Sequence, residues 1–404
     1  MMASILGKLT LLVLSVLIAL GGAELAVRLA GIGSDQFLQQ DPVLGVHYIP
    51  GKRGLSQGSC YRADVTTNSH GWRSGETTWK KPEGVFRIVI LGDSFIGALQ
   101  VNDDQTFSAV SETLLNRSGL ARRVEVINLG VPSFGNDQEY LALREFGKRY
   151  EPDFVILAIY AQNDVKNNSI VLERRDSAYP KPYFEMRNGE LVEVPYRDPT
   201  PGWIAFLRRL AQPLRLYPLT RDTLTKILII HRILYRTGIV GTIPRDEPKA
   251  RQVSRFPGRW DRQSAVYRRT YDGEWLEAWE ITKALLVRTR NEARDIGAGF
   301  LLVGIADPIA VLPEFVKREV FPANLRPELD PDKPTAILDE FAASRDIDFF
   351  TLVPIFRSHI GQSEDAFTKY YLSCDGHWTV SGNRLAAQAV VQHLIPILKQ
   401  RIGG

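Results

Sequence analysis

Phe86-Arg-Ile-Val-Ile-Leu-Gly-Asp-Ser-Phe95 decides how this chain folds. A short run, apolar at nearly every position and stopped by a glycine, fits a strand buried on both faces of a parallel sheet. The polar pair Asp93-Ser94 then opens a turn. From Asp104 to Asn116, the residues Phe107, Val110 and Leu114 recur at helical spacing.

The same strand-then-helix unit repeats outward along the chain. Val124-Glu-Val-Ile-Asn-Leu129 reads as a second strand ending at Gly130, and Asp137 to Tyr150 as its helix. Phe154-Val-Ile-Leu-Ala-Ile-Tyr160 is a third strand, Gly299-Phe-Leu-Leu-Val-Gly-Ile305 a fourth, and Ile347-Asp-Phe-Phe-Thr-Leu-Val353 a fifth. A long helix over Gly273 to Asp295 precedes the fourth strand, and a terminal helix spans about Ser381 to Lys399. Alternation of this kind predicts an α/β protein with a doubly wound, five-stranded parallel sheet in three α/β/α layers. Residues 85–165 and 272–404 would form that domain. Residues 166–271 are too long for a crossover and read as an insertion, mostly helical, serving as lid or subdomain. It holds Trp203, an amphipathic run from Thr220 to Tyr235, and a Pro/Arg-rich piece from Ile243 to Trp260. Residues 32–84, rich in Gly, Ser, Asn and Pro, read as an irregular linker and N-terminal extension.

The first 31 residues mark the compartment. Leu9-Thr-Leu-Leu-Val-Leu-Ser-Val-Leu-Ile-Ala-Leu-Gly-Gly-Ala23 is apolar but short for a span, which needs about 20 such residues. A signal peptide cut near Gly21 and Ala23 is one reading. A retained signal anchor, its helix running on through Glu24 and Arg28 to Leu29, is the preferred one, because no polar break follows Ala23. Both export the rest of the chain. Net charge is +4. It is unevenly spread, for Pro201 to Thr270 carries fifteen Lys or Arg against four acids, a surplus of +11. That segment suits an anionic polymer or anionic lipid. No zinc-finger, RRM or helix-turn-helix pattern accompanies it, so nucleic acid is not an expected partner. The two cysteines, Cys60 and Cys374, lie in no metal-ligand spacing, and the six histidines form no H-E-x-x-H. Neither a metal nor a cofactor is expected, and two free cysteines are the simpler reading over a disulfide.

In such a sheet, reactive groups gather beyond the C-terminal ends of the strands. The first strand delivers Gly92-Asp-Ser94, the second Gly130, and the third Asn163-Asp164. Asp375-Gly-His377 stands just before the last helix. These are parts of an acyl-transfer site. Ser94 would be a nucleophile at a strand-to-helix turn. An alcohol needs a base near neutral pH, and His377 is the right type. Asp375 would orient its ring, with Asp307 a distant second candidate. The backbone N–H groups of Ser94 and Gly130 and the side chain of Asn163 would form an oxyanion hole. Each piece alone has a plain structural explanation: Ser94 a helix cap, Gly130 a turn residue, Asn163-Asp164 a loop start. Their ordered placement at successive strand ends is what those explanations leave over.

These residues resemble the SGNH/GDSL hydrolase family, of the bacterial membrane-anchored type. Its four blocks look like Leu91-Gly-Asp-Ser-Phe95, Asn128-Leu-Gly130, Asn163-Asp164 and Asp375-Gly-His377. Asn68-Ser-His-Gly-Trp-Arg73 looks like the lead-in of membrane-bound members. The resemblance implies a flavodoxin-like sheet and serine-dependent ester chemistry through Ser94, His377 and Asp375. Two positions depart from the pattern: Ala161 stands where the third block usually has Gly, and the last block is D-x-H rather than D-x-x-H. The P-loop and the dinucleotide fingerprint are absent, and Ser94 itself does not stand in the α/β-hydrolase elbow G-x-S-x-G.

With water as acceptor, such a site is an esterase, lipase or deacetylase acting outside the cytoplasm on a small-molecule or polysaccharide ester. With a sugar hydroxyl, it is an O-acyltransferase on an exported polysaccharide. A third reading is a catalytically silent binding module in an envelope assembly.

Overall fold

The computed structural model describes residues 2–173, 181–194, 202–211, 214–217, 220, 263–314, 317 and 326–403. It opens with one long helix, α1 (Met2–Leu29). Its stretch Gly7–Leu29 has 23 residues, a mean hydropathy of 2.2 and side chains that are almost all exposed. At 1.5 Å per residue that is roughly 35 Å, enough to cross the hydrocarbon core of a bilayer. Continuing the helix through Glu24 supplies the length that the uninterrupted apolar run lacks.

The extension after α1 is more regular than its composition suggests. It forms two antiparallel hairpins, β1 (Leu38–Asp41) with β2 (Gly45–Tyr48), and β3 (Arg53–Gln57) with β4 (Arg62–Thr66). Strands of four or five residues with few apolar positions carry no clear alternation, so the sequence pattern hides them. They hold because Leu44, Val46, Tyr48, Ala63 and Val65 are buried against the main domain.

The central sheet has five parallel strands: β5 (Val85–Gly92), β6 (Arg123–Asn128), β7 (Phe154–Ile159), β10 (Gly299–Gly304) and β11 (Phe349–Thr351). The antiparallel pair β8 (Tyr183–Arg187) and β9 (Glu190–Val194) lies in the insertion. Spatial order is β6-β5-β7-β10-β11, so the strands run second, first, third, fourth, fifth. That is the flavodoxin-like order, with its switch point between β5 and β7. Alternate residues of β5 feed two cores: Val89 and Leu91 face one, Ile88 and Ile90 the other. The first core is closed by α4 (Asn136–Glu145) and the helix Gly273–Asp295, through Tyr140, Leu143, Trp275 and Leu285. The second is closed by the helix Phe107–Asn116 (α3) and the helix Val380–Gly403, through Phe107, Leu115, Val390 and Leu394. This is the expected three-layer arrangement.

Between the third and fourth sheet strands, the described residues include α5 (Ala161–Asn167), α6 (Ile170–Glu173), the β8–β9 hairpin and α7 (Gly202–Ala211). The insertion therefore contains a sheet element as well as helices. Beyond Thr220, the amphipathic run to Tyr235 lies outside the described residues, as does the Pro/Arg-rich Ile243 to Trp260. Lys181 ties the hairpin to the domain. Its Nζ donates to both Asp137 oxygens at 2.9 and 2.8 Å and to the Asn167 carbonyl at 2.7 Å.

Candidate active site

β5 ends at Gly92, and Asp93 caps the single-turn helix α2 (Ser94–Gly97). The Asp93 carboxylate accepts the Phe95 N–H at 2.9 Å and, on its other oxygen, Asn163 Nδ2 at 3.0 Å. One buried side chain thus joins the ends of β5 and β7 across the switch point. A Cβ at Gly92 would stand 2.4 Å from Ile96, so only glycine lets the turn fold back this tightly. Gly130, at the end of β6, is equally confined: a Cβ there would meet Ile96 at 2.6 Å and the Gly97 nitrogen at 2.9 Å.

The lead-in motif has a mechanical role that its sequence did not disclose. Asn68 Oδ1 accepts the N–H groups of His70 and Trp72, forming a tight turn. The turn aims Arg73 into the protein, where its guanidinium donates to the carbonyls of Gly97 (2.7 Å), Ala98 and Val101 (2.5 Å). Those are the carbonyls directly behind Ser94. Ala98, at φ 44°, occupies the left-handed region that L residues seldom adopt, and Arg73 holds it there.

His377 comes from the other end of the chain. Its loop closes by a Tyr371–Trp378 bridge and by the bond from Leu372 N to His377 O at 2.8 Å. Gly376, at φ 80°, makes the turn between Asp375 and His377. His377 Nε2 lies 2.7 Å from Ser94 Oγ. On its far side, Nδ1 stands 3.3 Å from Asp375 Oδ2. That contact is an ion-pair distance whose alignment falls outside a hydrogen bond, for Nδ1 has no hydrogen-bond partner. The shortened D-x-H spacing explains it, since Asp375 Oδ1 also takes the His377 backbone N–H at 3.1 Å. Gln100 Nε2 steadies the carboxylate from outside at 3.2 Å. Burial pushes the Asp375 carboxyl up, but the nearby His377 ring and the hydrogen bonds from the His377 backbone N–H and from Gln100 outweigh it and hold it below the usual value.

No family model matches the sequence, and no curated protein matches it. Among solved structures, the chain is similar to TesA at 13% identity and a TM-score of 0.37, over 77% of this chain and 99% of that one. It is similar to a lipase/acylhydrolase from Enterococcus faecalis at 13% identity and 0.34, over 76% and 95%. It is similar to the acetyl xylan esterase AlAXEase at 12% identity and 0.40, over 77% and 100%. Likeness at this level assigns no residue here. The informative observation is internal: three of the sequence blocks lie at the C-terminal ends of β5, β6 and β7, and the loop carrying His377 closes onto the first of them. The fold is a flavodoxin-like parallel sheet with helices on both faces.

Within this sheet, two features differ from the sequence expectation. The Gly130 N–H donates to Asn128 Oδ1 at 2.8 Å, so its one hydrogen is engaged internally. Asn163 gives one amide hydrogen to Asp93 and keeps the other. Ser94 N–H, at the first position of α2, has no intrahelical acceptor. The second difference is the cysteines, which were expected free. Cys60, in the β3–β4 turn, is bonded to Cys374, beside Asp375, with the Cα atoms 5.9 Å apart. A separation of 314 residues is invisible to spacing rules and is closed only by the fold.

Asp307 takes no part in this group. It caps the short helix Pro308–Val311 by accepting the Ile309 N–H at 2.7 Å. Burial lifts its carboxyl to about 6, against the opposing effect of nearby tyrosine hydroxyls and of the Ile309 N–H. Sequence reasoning also missed the buried acids behind Asn163. Burial raises Asp93, and it raises Glu139 and Asp164 further, where neighbouring carboxyls add to it. Among the described residues, no group of His, Cys, Asp or Glu could hold a metal ion.

Proposed function

We propose that the chain is a serine-dependent ester hydrolase of SGNH type, anchored by α1, with its catalytic domain outside the cytoplasm. The observation that carries this reading is the 2.7 Å contact between His377 Nε2 and Ser94 Oγ. His377 takes the hydroxyl proton as Ser94 attacks the ester carbonyl, then returns it to the leaving alcohol. Asp375 stabilises the imidazolium formed in between. The negative oxygen of the tetrahedral intermediate is met by the Ser94 N–H and the second hydrogen of Asn163. Gly130 joins them only by sharing its hydrogen away from Asn128. Water attacks the acyl-Ser94 next, with His377 again the base, releasing the acid. A retained span puts this site next to the membrane, which suits an ester of the cell envelope. The test is labelling of the purified full chain by a fluorophosphonate, which consumes an activated serine. The wild type should label and Ser94→Ala should not, and equal labelling of the two would remove the assignment.

A further inference from the structure

Helix α7 carries its apolar face outward. Trp203, Phe206, Leu207 and Leu210 fall at i, i+3, i+4 and i+7, one stripe of the helix, and each is more than half exposed. Ile204, on the opposite flank, is the buried one at 3%. A surface helix of a water-soluble body turns this stripe inward. A stripe of four large side chains left bare needs an occupant.

The chain just beyond α7 shows which occupant. Leu214, itself partly exposed, leads into Arg215 and Leu216, whose backbone N–H groups both donate at 2.9 Å to the two oxygens of Glu24. The Arg215 guanidinium pairs with Asp35 at 2.8 and 3.1 Å. Glu24 belongs to α1, five residues before its end at Leu29, and also takes Arg28 Nε at 2.6 Å. A carboxylate is costly inside hydrocarbon. One satisfied by two amides and an arginine within about 8 Å of the span's end marks where hydrocarbon gives way to headgroups. Three residues lie between the end of α7 at Ala211 and Arg215, a reach of at most about 14 Å. The C-terminal end of the exposed stripe therefore lies near the membrane boundary that Glu24 marks.

We propose that α7 lies flat in the outer-leaflet interface, its Trp203–Phe206–Leu207–Leu210 stripe inserted among the acyl chains beside the α1 span. Trp and Phe suit that depth, where the ring is apolar and the surroundings half wet. The sequence adds Arg208 and Arg209 to the same helix, the composition of interfacial helices on anionic leaflets. The chain then meets the bilayer at two points rather than one, which fixes the tilt of the catalytic domain above the lipid instead of leaving it on a swivel. This inference rests on α1 being retained as an anchor.

The experiment uses the full chain in phosphatidylcholine vesicles whose acyl chains are plain or brominated, read by tryptophan fluorescence. Trp72, Trp275, Trp279 and Trp378 are buried, so Trp203 is the strongly exposed tryptophan among the described residues. Brominated lipid should quench the wild type, and most of the quenched component should be missing from Trp203→Phe. A Leu207→Asp/Leu210→Asp variant should lose the quenching while keeping fluorophosphonate labelling of Ser94, which reports that it has folded. Equal quenching of wild type and Trp203→Phe in chains that float with the vesicles overturns the lipid seat and leaves the anchor standing. Shielding of Trp203 from both bromolipid and acrylamide would mean a protein covers the stripe, and also overturns it. A chain that fails to float removes the anchor and the seat together.

Discussion

At the scale of single residues, the Ser94–His377 contact and the looser Asp375 contact separate the three side chains by importance. Ser94→Ala and His377→Ala should each lower kcat on the order of 10⁴-fold or more. The double variant should fall hardly further, because the pair acts as one unit. Asp375→Asn should cost less, on the order of 10²-fold, since its contact to Nδ1 is 3.3 Å and poorly aligned. Single-turnover acyl transfer measures all four, and a Ser94/His377 double loss equal to the product of the singles would contradict the unit. Asp307 makes a prediction of the opposite kind. A buried acid held at about 6 keeps its proton in the folded state where the unfolded chain, near 3.8, has released it. Stability therefore falls as pH rises from 3.8 to about 6. Asp307→Asn should remove that fall, stabilising the protein at pH 7 by at most about 3 kcal/mol and leaving it unchanged near pH 4. Denaturant midpoints across that range decide it, and activity should survive.

At the scale of elements, α2 is too short to hold its own shape. Four residues make one turn, with Ala98 in a left-handed conformation at its end. Arg73 supplies the closure by gathering three carbonyls in one planar fork. A lysine has one ammonium and cannot reach all three. Arg73→Lys should cost about 1.5–3 kcal/mol of stability and lower kcat more than it raises KM, because Ser94 loses its place while substrate contacts remain. An unchanged kcat would show that the turn stands without its clamp.

At the scale of the whole molecule, two segments far apart in the chain meet beside the site. The Cys60–Cys374 bond fastens the N-terminal extension to the loop that carries Asp375 and His377. Cross-linking so long a loop typically contributes about 2–4 kcal/mol. Cys60→Ser/Cys374→Ser should lower stability by that amount. Activity should drop with it, through looser placement of His377, and reductant should do the same to the wild type. Activity indifferent to reductant would make the bond structural only. Such a bond persists in oxidising compartments, in keeping with the proposed export of the domain. A C-terminal alkaline phosphatase fusion should accordingly be active, and an inactive fusion beside an active cytoplasmic reporter would reverse the topology.

The sequence determined what is local or periodic. The central strands β5 and β7 read as apolar runs because a parallel sheet is covered on both faces. Ser94 and Asn163 could be singled out because the turns after strands are where such a sheet can expose reactive groups, and His377 because its residue type suits a base. Tertiary structure alone decided what depends on distant partners. The β1–β2 and β3–β4 hairpins owe their strands to burial against another surface, which a four-residue pattern does not announce. The looseness of the Asp375 contact, 3.3 Å from Nδ1, is set by how the closed loop turns that carboxylate towards the ring, while Asp307 caps another helix. The engagement of Gly130 by Asn128, the clamp of Arg73 and the bond between Cys60 and Cys374 are distances in space. No residue spacing encodes them, because chain separation sets only the farthest two groups can be and packing sets how near they come.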